Sequence, residues 1–369
     1  MRRGAPSRLT GVTLISSFLL MKNIEIAGHL IGKGREVFVI GEAGVNHNGD
    51  VALARKLIDA AAGAGVNAVK FQTFRADKLA TRSAPKADYQ SRNTDGNESQ
   101  YEMLRRLELS FDAHRQLIDY CKCQGVTFLS APFDEESADL LEKLDVAAFK
   151  IPSGEITNLP FLEHVARKQK PILLSTGMSE MSEVQTAAER IRAQGNRGLL
   201  LLHCVSNYPA DPADVNLRAM ATMAATCDAL VGYSDHTMGC EVALAAVALG
   251  AVVIEKHFTL DRNLPGPDHK ASLEPAELKA LVQGIRAVES AMGDGIKKPA
   301  PGEANTRQVA RKSLVAARDL AAGTRIDEAM IVIRRPGTGL PPAMRDELIG
   351  RTLKTGINAG TLFTLEMLS

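Results

Sequence analysis

The sequence predicts an α/β protein, a (β/α)8 barrel followed by a small, loop-rich β domain. Three observations predict it. Eight short runs rich in Val, Ile, Leu and Phe recur from residue 37 onward. Amphipathic stretches that end in Gly or other turn residues separate them, which is the alternation of βαβ units. The eight units occupy about 260 residues, the size and repeat of a closed parallel barrel rather than of an open doubly wound sheet, which is the competing arrangement.

The expected strands are 37–45, 68–73, 127–133, 147–153, 171–176, 199–205, 229–235 and 252–259. The first crossover reads as a helix because Ala54, Leu57, Ile58 and Ala61 fall at i, i+3, i+4 and i+7, with Gly63 and Gly65 as stop signals. Residues 74–110 exceed an ordinary βα connection and are rich in polar side chains, including Lys78, Lys86, Asn97 and Gln100. Long loops at that end of a barrel usually serve the active site. The last barrel helix is expected from Pro275 to about Met292, closing a catalytic domain over 21–295. Gly293-Asp-Gly and Pro299-Ala-Pro-Gly mark a linker over 296–310. The remaining 311–369 shows short β-like runs at 313–316 and 331–333, with turns at Gly323, Pro336-Gly337, Gly339 and Gly360. Residues 1–20 have a basic start and a short apolar run broken by Ser16 and Ser17 without a small-x-small cleavage site, so they read as a disordered leader or an unused upstream start.

Composition narrows the function classes. A formal net charge of +1 with 24% charged residues points to neither nucleic acid nor a membrane surface, and no segment has transmembrane length. The five cysteines lack paired short spacings, so neither a disulfide framework nor a zinc ribbon is expected, and a reducing cytoplasm fits. Cys121 shares a helical phase with His114, Leu117 and Ile118 and reads as buried and structural. No GxxxxGK[ST] or GxGxxG follows any strand, so no nucleotide is indicated.

The carboxyl ends of barrel strands form the catalytic mouth. Here they carry Glu42; Lys70 and Gln72; Lys150, Ser153 and Glu155; Ser175; Ser206; Asp235 and His236; and Glu255, Lys256 and His257. Burying so many polar groups costs several kcal/mol, roughly, unless they meet each other, water or a ligand. For each one alone a salt bridge to a loop or a helix cap is the ordinary alternative. His236 and His257 fall on adjacent strands at the mouth, where two imidazoles can share a divalent metal and leave positions open for substrate. His203 lies deeper in its strand and reads as packed; His47, in Asn46-His-Asn-Gly, reads as loop chemistry. Lys70 and Lys150 suit an anionic substrate such as a phosphate, completed by serines like Ser153 and Ser175.

The motifs GEAGVNHNGD, VKFQTF with a following ADKL and APKADYQ, FKIPSGE, LLSTGM, GYSDHT, EKHFTLD and GPDHKASLEP together resemble the sialic acid synthase family, over nearly the whole chain after Met21. The stretch from about Arg311, with VIRRPGTGL, is similar to that family's antifreeze-like (SAF) domain. The resemblance implies condensation of phosphoenolpyruvate with an N-acylated amino sugar, N-acetylmannosamine first and its 2,4-diacetamido-2,4,6-trideoxy relative as the alternative. It implies a divalent ion, Mn2+, Mg2+ or Co2+, on His236 and His257. Lys70, Gln72, Lys150, Ser153, Ser175, Ser206, Tyr208 and Ser234 would then bind substrate, and Glu42, Glu155 and Asp268 would orient the sugar and move protons. A domain-swapped homodimer would bring Arg335 to the sugar in trans. Ala131 stands where the family often has threonine, and Ser206 occupies a variable position.

Two other functions compete. A Schiff-base aldolase would use Lys70, Lys150 or Lys256, although period-two alternation puts Lys256 on the face opposite Glu255 and His257. A sugar-binding protein would use the C-terminal domain beside a dead barrel.

Overall fold

The computed structural model describes residues 23–94 and 97–369; the expected leader at 1–20 lies outside the described residues. The chain forms two compact units, one ending at Gly293 and one spanning Asp294–Ser369.

The first unit is the barrel. Its strands are β3 (Phe38–Gly44), β4 (Ala68–Thr73), β5 (Thr127–Pro132), β6 (Phe149–Ile151), β7 (Ile172–Ser175), β8 (Leu199–Cys204), β9 (Leu230–Asp235) and β10 (Val253–His257). They follow an antiparallel hairpin, β1 (Ile24–Ile26) and β2 (His29–Ile31), that sequence reading did not anticipate. All ladder pairs among β3–β10 are parallel, in the order β5-β4-β3-β10-β9-β8-β7-β6. The first and last barrel strands, β3 and β10, are therefore neighbours, which a doubly wound sheet does not give. β5 and β6 adjoin without a ladder, so the ring is nearly closed.

Alternation along each strand sorts side chains to two faces. Val39, Val69, Phe71, Phe128, Leu174, Leu201, Tyr233 and Ile254 face outward and pack with the helices. Phe38, Ile40, Ala68, Leu129, Ala148, Leu173, Leu200, Leu202 and Val253 face inward and form an apolar floor. Ile24, Ile26 and Ile31 of the hairpin belong to the same cluster and cover that floor from below. The inward positions nearer the carboxyl ends are polar, and this abrupt change from floor to mouth locates the site.

The helices are capped as local chemistry dictates. Helix Val51–Ala64 starts at Asp50, whose Oδ1 accepts from the Ala52 N–H at 2.7 Å, and buries the expected stripe of Ala54, Leu57, Ile58 and Ala61. It runs through Gly63 and ends only at Gly65, whose φ of 84° allows the left-handed cap. Helix Phe111–Gln124 buries Cys121 with His114, Leu117 and Ile118. Helix Pro275–Met292 closes the barrel with the expected bounds.

The second unit contains the antiparallel pair β11 (Ser313–Ala316) and β12 (Ile331–Arg334), at the runs read from sequence, around a core that includes Leu314, Leu348, Leu353 and Phe363. The stretch expected as plain linker also carries a helix, Ala304–Ala310. Among the described residues no helix is long and apolar enough to cross a membrane, and all five cysteines are free.

Candidate active site

The mouth is built around Glu255. On the inward face of β10, its Oε1 accepts from Ser234 Oγ of β9 at 2.7 Å and lies 3.1 Å from Lys150 Nζ of β6, while its Oε2 is 3.6 Å from Lys70 Nζ of β4. Lys70 also contacts Glu42 of β3. Two lysines and two carboxylates, all nearly fully buried, thus form one network spanning four strands. Burial opposes ionisation of Glu255, but Lys150 and Lys70 outweigh it and hold the carboxyl at about 2. Burial draws the Lys70 ammonium down to about 7, and Glu255 opposes that shift. Sequence reading placed Glu255 at a strand end but gave it no role; its period-two relation to His257 was the available signal.

Buried polar atoms without a hydrogen-bond partner concentrate here. Among the described residues they include Glu42 Oε1, Glu255 Oε2, Ser175 Oγ and His257 Nδ1. Such groups are costly unless a ligand or water meets them. The backbone prepares the same region: the β3 register shifts between Glu42 and Gly44, and Gly44 has φ +52° with its missing Cβ position 3.0 Å from Glu42 Oε1 and 3.6 Å from Gln72 Nε2. A side chain there would crowd Glu42 and strain the left-handed backbone.

A second cluster lies across β6, β7 and β8. The Gly177 N–H donates to Ser153 Oγ at 2.9 Å, Ser153 Oγ is 3.2 Å from Cys204 Sγ, and Cys204 Sγ is 3.8 Å from Ser206 Oγ. A Cβ on Gly177 would lie 2.2 Å from Ser206 Oγ and 2.9 Å from Ser153 Oγ, so the small cradle exists because residue 177 has no side chain. Neither Gly177 nor Cys204 was singled out from sequence; the GM of LLSTGM carried the signal.

His236 and His257 stand beside each other with ring centroids 5.4 Å apart. Burial holds both imidazoles neutral, His236 at about 4 and His257 well below its ordinary value. His236 Nδ1 lies 2.6 Å from the Val205 carbonyl, so this nitrogen must donate and Nε2 keeps a free lone pair. His257 Nδ1 is buried without a partner. Two neutral imidazoles with available lone pairs fit a divalent ion. Among the described residues no group of three or more His, Cys, Asp or Glu side chains is arranged to hold a metal ion.

Tyr208 covers the histidines, its ring 4.2 Å from His236 and 5.6 Å from His257, and Tyr89 from the long 74–110 connection packs on Tyr208 at 4.9 Å. Asp268 is buried nearby, and burial pushes its carboxyl up to about 6 against the pull of Lys70. Glu155 ends the 3-10 turn Ser153–Glu155 that begins with Ser153 of the cradle. Its Oε2 accepts from Asn158 Nδ2 at 2.8 Å; burial raises its carboxyl, the Asn158 hydrogen bond opposes that, and the nearby Glu135 and Asp134 carboxylates raise it further. Arg335 is exposed on the second unit.

The other candidates resolve simply. Lys256 faces outward, 2.6 Å from Asp235, and is buried as a structural ion pair, as alternation predicted. His203 is packed with Nε2 at 2.6 Å from the Val215 carbonyl. His47 is more than loop chemistry: it is fully buried, its Nδ1 accepts from the Gly49 N–H at 2.9 Å, and it packs against Phe71. Ala131 lies buried on β5 beside Gln72 of β4.

A parallel eight-stranded ring with ionised and imidazole side chains at its carboxyl ends defines an enzyme of the (β/α)8-barrel class. Comparison with known proteins goes further: the NeuB family matches residues 57–297 and the SAF domain residues 311–369. The N,N'-diacetyllegionaminic acid synthase of Legionella pneumophila is 47% identical over 339 residues, 91% of this chain and 95% of that protein. The protein of the same name from Campylobacter jejuni is 49% identical over 319 residues, 86% of this chain and 96% of that one. The crystal structure of N-acetylneuraminic acid synthetase from Leptospira borgpetersenii matches with a TM-score of 0.69 at 34% identity, covering 78% of this chain and 95% of that one. The chain belongs to the NeuB family and is a nonulosonate synthase, an enzyme of the transferase type.

Proposed function

We propose that this enzyme condenses phosphoenolpyruvate with 2,4-diacetamido-2,4,6-trideoxymannose and water to give N,N'-diacetyllegionaminate and phosphate. The observation that carries the choice of acceptor is the 47% and 49% identity to two synthases of that name, spanning barrel and SAF domain alike. N-acetylmannosamine, the acceptor preferred from sequence motifs alone, yields to this alternative because those motifs do not separate the two sugars.

In this reading Lys70, Lys150, Ser153, Ser175, Ser206 and Ser234 hold the phosphate and carboxylate of phosphoenolpyruvate, with the Gly177 N–H orienting the Ser153 hydroxyl. Lys70 and Lys150 are already balanced by Glu42 and Glu255, so a multiply charged anion entering the mouth calls for further positive charge. His236 and His257 would hold that charge as a divalent ion, whose Lewis acidity polarises an aldehyde. Gln72, Tyr208 and Asp268 orient the open-chain sugar. Carbon 3 of the enolpyruvate bonds to the aldehyde carbon while the aldehyde oxygen takes a proton, for which the buried Asp268 is the proposed donor. Water adds at carbon 2, Glu42 accepting one of its protons, and the bond from carbon 2 to the phosphate oxygen then breaks as the new hydroxyl becomes the ketone carbonyl, its proton leaving with the phosphate. Glu155, expected from the resemblance to share this work, keeps that part in this reading, its half-buried carboxyl also accepting from Asn158.

The SAF unit is proposed to serve the partner's barrel in a homodimer, with Arg335 meeting an acyl group. The lowered Lys70 ammonium is the one feature favouring a Schiff-base aldolase, but its contacts with Glu42 and Glu255 favour the charged, non-nucleophilic form.

The test is phosphate release from phosphoenolpyruvate with each sugar, in manganese and again after chelation. Release that needs the diacetamido sugar and the metal supports the reading. Release only with N-acetylmannosamine reassigns the acceptor, and a borohydride-trapped adduct formed without metal would replace it with the aldolase.

A further inference from the structure

We infer that Asn46 and Ser272 are positioning residues for Asp268: a relay of hydrogen bonds runs from the exit of β3 to the Asp268 backbone and fixes the place of its carboxyl relative to His257 on β10. The inference rests on the synthase reading above, in which Asp268 orients the sugar and protonates it, and deepens that reading. Asn46 and Ser272 stand in GEAGVNHNGD and GPDHKASLEP, far apart in the chain, and both are buried. Asn46 Nδ2 donates to the Phe258 carbonyl at 2.8 Å, one residue beyond His257, and to Ser272 Oγ at 3.0 Å. Ser272 Oγ in turn donates to the Asp268 carbonyl at 2.7 Å. A hydroxyl has one proton, so that donation obliges Ser272 Oγ to accept from Asn46, and the relay runs in one direction.

The segment around Asp268 is fastened on both sides. After it, the Leu273 N–H donates to the His257 carbonyl at 2.9 Å and the Thr259 N–H to the Leu273 carbonyl at 2.8 Å, while His269 Nδ1 lies 2.6 Å from Thr259 Oγ1. Before it, the Pro267 carbonyl accepts from Asn93 Nδ2 at 2.8 Å. The Asp268 carboxyl itself makes no hydrogen bond among the described residues; burial and Lys70 are what act on it. Its position is therefore set through its backbone. Fold stability alone does not account for the relay, because Asn46 Oδ1 is left buried without a partner. An unpaired buried acceptor destabilises a fold, so the amide is placed for the two bonds it donates. Buried polar relays of this kind specify one geometry.

The experiment measures kcat and KM for the acceptor sugar that the enzyme turns over, and KM for phosphoenolpyruvate, in the unsubstituted enzyme, Ser272→Ala, Asn46→Ala, Asp268→Ala and the double variant Ser272→Ala with Asp268→Ala. A displacement of about 1 Å can cost about a hundredfold, so Ser272→Ala and Asn46→Ala should each lower kcat/KM for the sugar about tenfold or more. KM for phosphoenolpyruvate should be unmoved. With Asp268→Ala already present, Ser272→Ala should cost nothing further, because nothing remains to be positioned. The same loss in both backgrounds, no loss at all, or an equal rise in KM for phosphoenolpyruvate overturns the inference while leaving the synthase reading intact. Should Asn46→Ala fail to fold, Ser272→Ala, which deletes a single hydroxyl, carries the test. Should Asp268→Ala release too little phosphate to follow, the crystal structure of Ser272→Ala decides: a displaced Asp268 carboxyl with His257 in place supports the inference, and an unmoved one overturns it. Full activity of Asp268→Ala removes Asp268 from the reaction and this inference with it. No phosphate release by the unsubstituted enzyme with either sugar removes the synthase reading as a whole.

Discussion

At the scale of single residues, the mouth depends as much on a missing side chain as on the charged ones. Gly177 has an ordinary negative φ, so glycine is required there for space rather than for conformation. Gly177→Ala should push aside the Ser153 and Ser206 hydroxyls while leaving the surrounding fold in place. A hydrogen bond to a charged group contributes about 1.5–3 kcal/mol, so KM for phosphoenolpyruvate should rise about tenfold or more. Steady-state kinetics alongside a thermal melt checks this: a raised KM with a nearly unchanged melting temperature is expected, and an unchanged KM would remove the cradle from the substrate site. Most of the ring was legible in the sequence because period-two alternation selects one face. It puts Glu42, Lys70, Lys150, Ser175 and His257 inside and turns Lys256 out to Asp235, whereas Ser234 follows only from the family resemblance. Glu255 was visible at a strand end, but only proximity of Lys70, Lys150 and Ser234 from three other strands makes it the hub. Alternation cannot report such contacts between distant segments. Glu155 lies just past a strand end in a 3-10 turn, whose direction the strand period does not govern, so alternation alone does not assign its face.

At the scale of elements, the eight barrel strands were legible because each is a short apolar run bounded by turn residues, and their ends were read slightly long because polar mouth residues continue the β-like pattern. β6 is the clearest case, expected over 147–153 and observed as Phe149–Ile151. The hairpin of β1 and β2 escaped notice because each strand has only three residues and they are joined by Ala27 and Gly28, too little sequence for a periodic signal. Its isoleucines matter only in three dimensions, where they cover the floor formed by all the barrel strands. Gly63 illustrates the limit of local stop signals: helix Val51–Ala64 continues through it, and the residue that takes the left-handed conformation, Gly65, ends the helix. The 74–110 connection was expected to serve the mouth, and its helix Asp88–Asn93 meets the mouth through Tyr89 and Asn93.

At the scale of the whole molecule, the proposal assigns two halves of one site to different parts of the chain, the imidazoles to the barrel and Arg335 to the SAF unit. His236→Ala and Arg335→Ala variants should each be inactive alone. Mixed in equal amounts with subunit exchange, they should recover about a quarter of the unsubstituted activity if each SAF unit serves the partner's barrel, because half the dimers are mixed and each has one complete site. No recovery after demonstrated exchange would place Arg335 on its own barrel or outside the site. The central claim, condensation with cleavage between carbon and oxygen, is tested most directly by phosphoenolpyruvate carrying 18O in its bridging position, turned over with the diacetamido-trideoxy sugar. The account predicts that the label leaves in inorganic phosphate while the nine-carbon acid takes its new oxygen from water; label retained in the organic product would mean cleavage between phosphorus and oxygen and would contradict it.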